Sequence, residues 1–132
     1  MNILFLDDSV YRYDTFMKYT EGHRVCWAKT ASEALDLLEE MNFDQIWLDH
    51  DLSEEHYSGV VDENTGRRVV QYIIAATERF SNAAIILHSL NPVGAETMYI
   101  DLMASALLGR NIYLLPFAWQ NASFIHTLCG DT

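Results

Sequence analysis

Four aspartates and two histidines stand where apolar runs stop. Asp7 and Asp8 follow Asn2 to Leu6, Asp49, His50 and Asp51 follow Ile46 to Leu48, and His88 follows Ala83 to Leu87. An apolar run that breaks abruptly into ionisable residues is the pattern of a buried strand ending at a reactive rim. In open α/β sheets ligands bind beyond the carboxyl ends of the strands, so acids at that edge carry more information than acids elsewhere. Carboxylates crowded into one cleft repel one another unless a cation or a shared proton relieves them. A hard divalent ion such as Mg²⁺ is the simplest relief, because it takes oxygen ligands and keeps waters that a phosphate can replace. Imidazoles beside carboxylates would also suit Mn²⁺, Zn²⁺ or Fe²⁺. The expected metal ligands are Asp7, Asp8, Asp49 and Asp51, with Mg²⁺ or Mn²⁺ the preferred ion. Asp7 and Asp8 also have a plainer use, which is to cap the following helix and complement its dipole.

His88 and His50 are the candidate proton carriers, since an imidazole titrates near working pH. The plainer role for His88 is a neutral ring bonded to a backbone carbonyl. On the substrate side, Ser89, Asn91 and Gly94 are candidates to hold phosphate oxygens, because amides at a helix N-terminus attract anions. Asn91-Pro92 is equally an ordinary helix opening. Arg67 and Arg68 could grip phosphate from the loop side, and a solvated face pairing with Glu63 is their default.

Alternating strands and helices must deliver these residues. Asn2 to Leu6 reads as a strand, and after Ser9 as N-cap the segment Val10 to Tyr19 is a helix with Val10, Tyr13, Phe16 and Met17 inward. His23 to Ala28 is a second strand. Thr30-Ala31-Ser32-Glu33 forms a capping box that opens an amphipathic helix reaching Asn42. The strand Asp44 to Asp49 follows, and then an acidic stretch, Leu52 to Glu63, longer than an ordinary connection and suited to a functional loop. Asn64-Thr65-Gly66 opens a helix running to Phe80, with Val69, Val70, Ile73, Ile74 and Thr77 inward. After the strand Ala83 to Leu87, a helix from Asn91 to about Leu108 buries Ala95, Met98, Leu102, Met103 and Ala106, with Gly109 as C-cap. Asn111 to Leu115 is the fifth strand, closed by Pro116-Phe117, and the tail 118–132 holds at most a short helix.

This alternation gives a three-layer, doubly wound, five-stranded parallel sheet of the flavodoxin type, order 2-1-3-4-5, with a shortened last helix. In that order the first and third strands lie side by side at the switch point, which gathers Asp7, Asp8, Asp49 and Asp51. The chain is expected to be a single domain over its 132 residues, with the core in about 1–117.

Half of the residues are hydrophobic, so a packed core is expected and disorder is not. The net charge of -11, from 8 basic and 19 acidic residues, excludes general binding to long nucleic acid or anionic membrane, because no basic stripe can displace counterions. Cys26 and Cys129 lack metal spacing and are expected as free thiols in a reducing compartment. No stretch approaches a membrane span or a signal peptide, which leads to an expected cytoplasmic location.

Leu6-Asp7-Asp8, Leu48-Asp49, a polar residue after the fourth strand and Pro116-Phe117 together resemble the receiver domain of bacterial response regulators. In that family the acid pair binds Mg²⁺ and the third-strand aspartate takes a phosphoryl group, roles the resemblance would place on Asp7, Asp8 and Asp49. Two departures stand out: His88-Ser89 replaces the expected hydroxyl residue, and Leu115 replaces the lysine expected before Pro116. With those departures, Leu48-Asp49-His50-Asp51-Leu52 and His88 to Met98 are similar to the cyclic-phosphate processing receiver-like domains, derivatives inferred to act on cyclic phosphate ends or cyclic nucleotides.

The resemblance implies metal-dependent hydrolysis of a cyclic phosphodiester, with a small phosphate ligand such as a cyclic nucleotide as partner. Asp7, Asp8, Asp49 and Asp51 would hold the ion, and His88, His50 and Asp49 would carry the chemistry. A non-catalytic module that sequesters a cyclic nucleotide, and an atypical receiver acting as an interaction domain, are the two rivals. A homodimer is compatible with all three.

Overall fold

Apolar runs of four or five residues become strands here, and those at Asn2–Leu6, Gln45–Leu48 and Ala84–His88 are buried on both faces, as the inner strands of a parallel sheet must be. The computed structural model describes residues 1–52, 64–89, 91–105 and 111–115. Its elements alternate as β1 (Asn2–Leu6), α1 (Val10–Tyr19), β2 (Arg24–Ala28), α2 (Ala31–Glu40), β3 (Gln45–Leu48), α3 (Gly66–Ala75), α4 (Thr77–Phe80), β4 (Ala84–His88), α5 (Pro92–Met103) and β5 (Ile112–Leu115). The five strands form one parallel sheet in the order β2-β1-β3-β4-β5, as the alternation predicts. The expected lid in 53–63, the C-cap Gly109, Pro116-Phe117, Cys129 and the tail lie outside the described residues.

The sheet separates two apolar layers. Ile3, Phe5, Trp47, Ile86 and Leu115 pack with Phe16 of α1. Leu4, Leu6, Ile46, Leu48, Ile85 and Leu87 pack with Ala34 and Leu38 of α2, Val69 and Ile73 of α3, and Met98 and Leu102 of α5. Strand alternation sends successive side chains to opposite layers, so Phe5 and Leu6 serve different cores. Among the described residues no helix is long and apolar enough to cross a membrane.

Three helices depart from expectation. In α1 Phe16 is buried and Tyr13 stacks on Trp27 at 4.0 Å, but Val10 and Met17 are exposed. The inward line runs through Tyr13, Phe16 and Thr20, a narrower stripe than predicted. The helix opening at Gly66 breaks at Ala76 instead of running to Phe80. The break turns Phe80 into the core and lets the Arg79 guanidinium donate to the carbonyls of Leu38, in the last turn of α2, and Met41, its C-cap. Finally, α5 stops at Met103 rather than near Leu108, and Met103 is exposed because it lies off the Ala95, Met98, Leu102 line.

Caps account for where the helices begin. The Ser9 hydroxyl accepts from Arg12 N, Thr30 from Glu33 N, and Asn91 from Gly94 N. Asn64, expected to open its own helix, instead accepts from Ala31 N at 2.8 Å and so caps α2 from across the fold. Thr65 occupies the N-cap of α3 without a side-chain cap bond.

Candidate functional site

Register places the site. Leu6, Leu48 and Leu87 are neighbours on adjacent strands, so the chain positions that follow them, Asp7, Asp49 and His88, arrive at one edge together. Backbone bonds hold the acids there: Asp7 N donates to Ala28 O at 3.0 Å and Asp49 N to Leu6 O at 3.1 Å. The Trp27 indole donates to the Asp7 carbonyl at 2.7 Å, which ties β2 to the same point.

Carboxylate oxygens of Asp7, Asp8 and Asp49 lie within 4.8 Å of one another. Asp7 and Asp49 are buried, and Asp8 is partly exposed at the mouth. Sequence reasoning missed the residue that sits among them. Arg12 forks onto Asp7, with Nε 2.7 Å from Oδ2 and Nη2 2.8 Å from Oδ1, and Nη2 stands 3.5 Å from Asp49 and 3.8 Å from Asp8. A signal was present, because Arg12 on the first turn of α1 stands four residues after Asp8, which lies just before the N-cap Ser9. The hydrogen bonds that Arg12 donates to Asp7 outweigh burial and raise the pKa of its guanidinium. Asp49 shows the other form of relief. Burial, then the charge of Asp7, pushes its carboxyl up to about 7, against opposing bonds from Ser89 and the nearby Arg12.

Asp51 does not join the acids, a correction to the expected ligand set. It is exposed, accepts from His50 Nδ1 at 2.7 Å and takes a second bond from Asn91 Nδ2 at 3.2 Å. The bond to His50 lowers its pKa. The result is a chain Asn91, Asp51, His50 beside the acid cluster. Carboxylate-bound Nδ1 of an imidazole fixes the ring's tautomer and leaves Nε2 as the proton acceptor.

His88 occupies a different environment. Its ring is buried, stacked on Phe5 at 5.0 Å and edge-on to Trp47 at 5.8 Å, with Nδ1 3.5 Å from Asp7 Oδ2. Burial pushes its pKa down to about 4 despite the charge of Asp7. A neutral ring packed under the acids is closer to the plain alternative than to an exposed proton carrier.

Gly94 also changes role. Its amide already donates to the Asn91 cap, so it is not the anion cradle expected. A β-carbon there would meet the His50 ring at 2.5 Å, so glycine admits the imidazole against α5. Gly66 works the same way from α3. Its amide donates to His50 O at 2.9 Å, and a β-carbon would meet the Asp49 carbonyl at 1.9 Å. Two close helix starts thus clamp the turn after β3, which explains why only glycine serves at both. Ser89 lies between the groups, with its hydroxyl accepting from Asn91 N at 3.0 Å and its side chain bonded to Asp49. Arg67 pairs with Asp101 at 3.2 Å and Arg68 donates to Ser32 at 3.1 Å, so neither is brought to the cluster.

The donor set fits a divalent ion of the hard kind. Asp7, Asp8 and Asp49 offer oxygen only, which suits Mg²⁺ or Mn²⁺. Zn²⁺ or Fe²⁺ would draw on imidazole, but His50 Nδ1 is bonded to Asp51 and the His88 ring is buried beneath Asp7.

Comparison with known proteins agrees with this geometry. Residues 2–104 match the family model described as the cyclic-phosphate processing receiver domain. No curated protein matches. Among solved structures, the chain is similar to chemotaxis protein CheY4 of Vibrio cholerae, at TM-score 0.69 and 16% identity, covering 98% of this chain and 96% of that one. It is likewise similar to the signal receiver domain of an HD domain-containing protein from Pseudomonas fluorescens Pf-5, at TM-score 0.70 and 14% identity over 98% and 91% of the two chains. A response regulator from Burkholderia pseudomallei, solved with a phosphorylated aspartic acid and a calcium ion, aligns at TM-score 0.65 and 20% identity over 98% of this chain and 69% of its own. At these identities the likeness is one of fold.

Proposed function

The chain belongs to the cyclic-phosphate processing receiver family, and from that premise we propose that it hydrolyses a cyclic phosphodiester at the carboxyl edge of its sheet. The substrate class is a cyclic nucleotide or a 2′,3′-cyclic phosphate end. The observation that carries this reading is a carboxylate-oriented imidazole, His50 on Asp51, standing beside an acid cluster that fits a divalent ion. Phosphotransfer signalling needs a different set. Where a receiver carries the lysine that partners its phosphoaspartate, β5 ends in the buried, apolar Leu115.

Asp7, Asp8 and Asp49 would hold the ion, which when bound supplies charge to polarise a phosphoryl oxygen and acidify a water. His50 Nε2 accepts the proton of the attacking water, because Nδ1 donates to Asp51. As the water oxygen bonds to phosphorus, the ring P–O bond breaks, and the departing oxygen takes a proton from solvent at the open face. Asn91 holds Asp51, and Gly94 leaves room for the ring. His88 supports Asp7 from below and does not touch substrate.

The test is incubation of the purified protein with 3′,5′-cyclic nucleotides and RNA bearing 2′,3′-cyclic ends, with and without chelator. Turnover abolished by chelator supports the proposal; recovery of intact, bound ligand makes the protein a sequestering module; neither turnover nor binding leaves an interaction domain. Asp51→Asn sharpens the result. Asp51 is exposed, so stability should hold while kcat falls about 100-fold with little change in KM, as expected when an imidazole loses the group that sets its tautomer.

A further inference from the structure

Arg12 does more than neutralise its neighbours. The Nε–Nη2 edge of its guanidinium is spent on Asp7, and the same Nη2 leans toward Asp49 and Asp8. A divalent ion coordinated by these acids needs the Asp7 oxygens that the guanidinium now occupies. The two cations therefore compete for one carboxylate. Charge sets the order of events. Three carboxylates against one guanidinium leave the cleft anionic, and an anionic cleft attracts a divalent cation but repels a phosphate. With the ion in place the local charge is balanced, and the guanidinium has lost its acceptor.

We propose that Arg12 is a displaceable internal cation that holds the acid site until a divalent ion takes Asp7, and that the released guanidinium then binds the phosphate of the incoming ligand. The geometry suits the exchange. A guanidinium fork that fits two carboxylate oxygens fits two phosphate oxygens equally well. Arg12 is anchored on the first turn of α1, and its side chain, mostly covered but still 18% exposed, already lies 3.8 Å from the partly exposed Asp8 at the mouth of the cleft. The two arginines expected from the sequence to hold phosphate are engaged on Asp101 and Ser32, away from the acids. This inference deepens the hydrolase reading and rests on it for the ligand class alone.

The experiment measures two affinities with opposite expectations. Mn²⁺ binding is read by electron paramagnetic resonance on the purified full chain, and phosphate binding by the broadening of the ³¹P line of inorganic phosphate in the presence of bound Mn²⁺. In Arg12→Gln, Mn²⁺ should bind about tenfold more tightly, because its competitor is gone, and phosphate about tenfold more weakly. Arg12→Lys keeps the charge without the fork, so Mn²⁺ affinity should stay near wild type while phosphate binding remains impaired. Circular dichroism confirms that each variant is folded, and the equally uncharged Arg12→Met, with the same expectations, stands in if the glutamine variant is not. Mn²⁺ affinity unchanged or weakened in a folded Arg12→Gln overturns the competition. Undiminished phosphate binding overturns the second role, and phosphate bound equally well by the metal-free protein, read by isothermal titration calorimetry, overturns the order. None of these readouts uses turnover, so a protein that binds as stated but cuts nothing refutes the hydrolase reading and leaves this one standing.

Discussion

Replacing Asp49 by asparagine isolates the electrostatic strain of the site. In the native protein burial and Asp7 push the Asp49 carboxyl from the ordinary 3.8 up to about 7. Between those values the folded state keeps a proton that the unfolded chain has released, so each rise in pH favours unfolding. The stability linked to this group is complete below the unfolded value, is lost as pH rises toward about 7, and is level above it. At about 1.4 kcal/mol per pH unit for a full proton difference, and with Asp49 already half titrated at the upper end, roughly 2 kcal/mol should disappear between about pH 5 and about pH 7. The wild-type curve alone would conceal this. His88, held down to about 4 by burial, adds the opposite slope, because there the unfolded chain binds the extra proton and stability rises with pH up to the ordinary histidine value. The informative quantity is the difference between wild type and Asp49→Asn. Urea unfolding followed by tryptophan fluorescence, in chelator, should show the wild-type advantage shrinking by about 2 kcal/mol from about pH 5 to about pH 7. Loss of the Arg12 contact to residue 49 adds an offset to the variant, not a slope. Saturating Mn²⁺ should abolish the slope, since an ion coordinated by Asp49 keeps it ionised at every pH in the window. Parallel curves for the two proteins in chelator would refute the argument, because they would mean that Asp49 is ionised in the folded state throughout.

Two further substitutions test the packing around the site. His88→Ala removes a fully buried ring from between Phe5 and Trp47 and should cost about 2–4 kcal/mol in urea unfolding; a loss below about 1 kcal/mol would show that the ring is not part of the core. Gly94→Ala puts a methyl group 2.5 Å from His50 Cγ, so it should lower stability by about 1–3 kcal/mol and separate His50 from Asp51. An unchanged His50 imidazole spectrum by NMR in that variant would count against the clamp.

Much of this architecture was legible because it rests on short-range rules. Apolar runs bounded by acids, caps such as Ser9, Thr30 and Asn91, and alternation of element type lead to the observed strand order. The meeting of Asp7, Asp8 and Asp49 follows from that order alone. What could not be read depends on distances between elements. Nothing in the pattern of α3 says that its chain breaks at Ala76 to bury Phe80, because both the helix and the break present Val69, Val70 and Ile73 inward. Gly94 was misassigned for a related reason. A glycine at a helix start reads as an anion cradle or as room for a neighbour, and only the position of His50 decides between them. His88 reads as a proton carrier because it closes a strand at the rim, yet the ring is buried against Phe5 and Trp47 in the aromatic layer.

Arg12 changes what the acids mean. Clustered carboxylates imply a cation, and from the sequence that cation seemed to have to come from outside. The fold supplies one from its own first helix, with Arg12 forked on Asp7, and lets Asp49 retain a proton near neutrality. The acid cluster is thus stable without metal, and repulsion among Asp7, Asp8 and Asp49 no longer argues for an ion by itself. The stronger argument is the residual imbalance. One guanidinium cannot satisfy three carboxylates, and Asp8, partly exposed and 3.8 Å from Arg12, is the one of them that faces solvent. An ion approaching from solvent meets Asp8 first and Asp7 last, so its entry and the departure of Arg12 become a single exchange whose direction depends on the concentration of the ion.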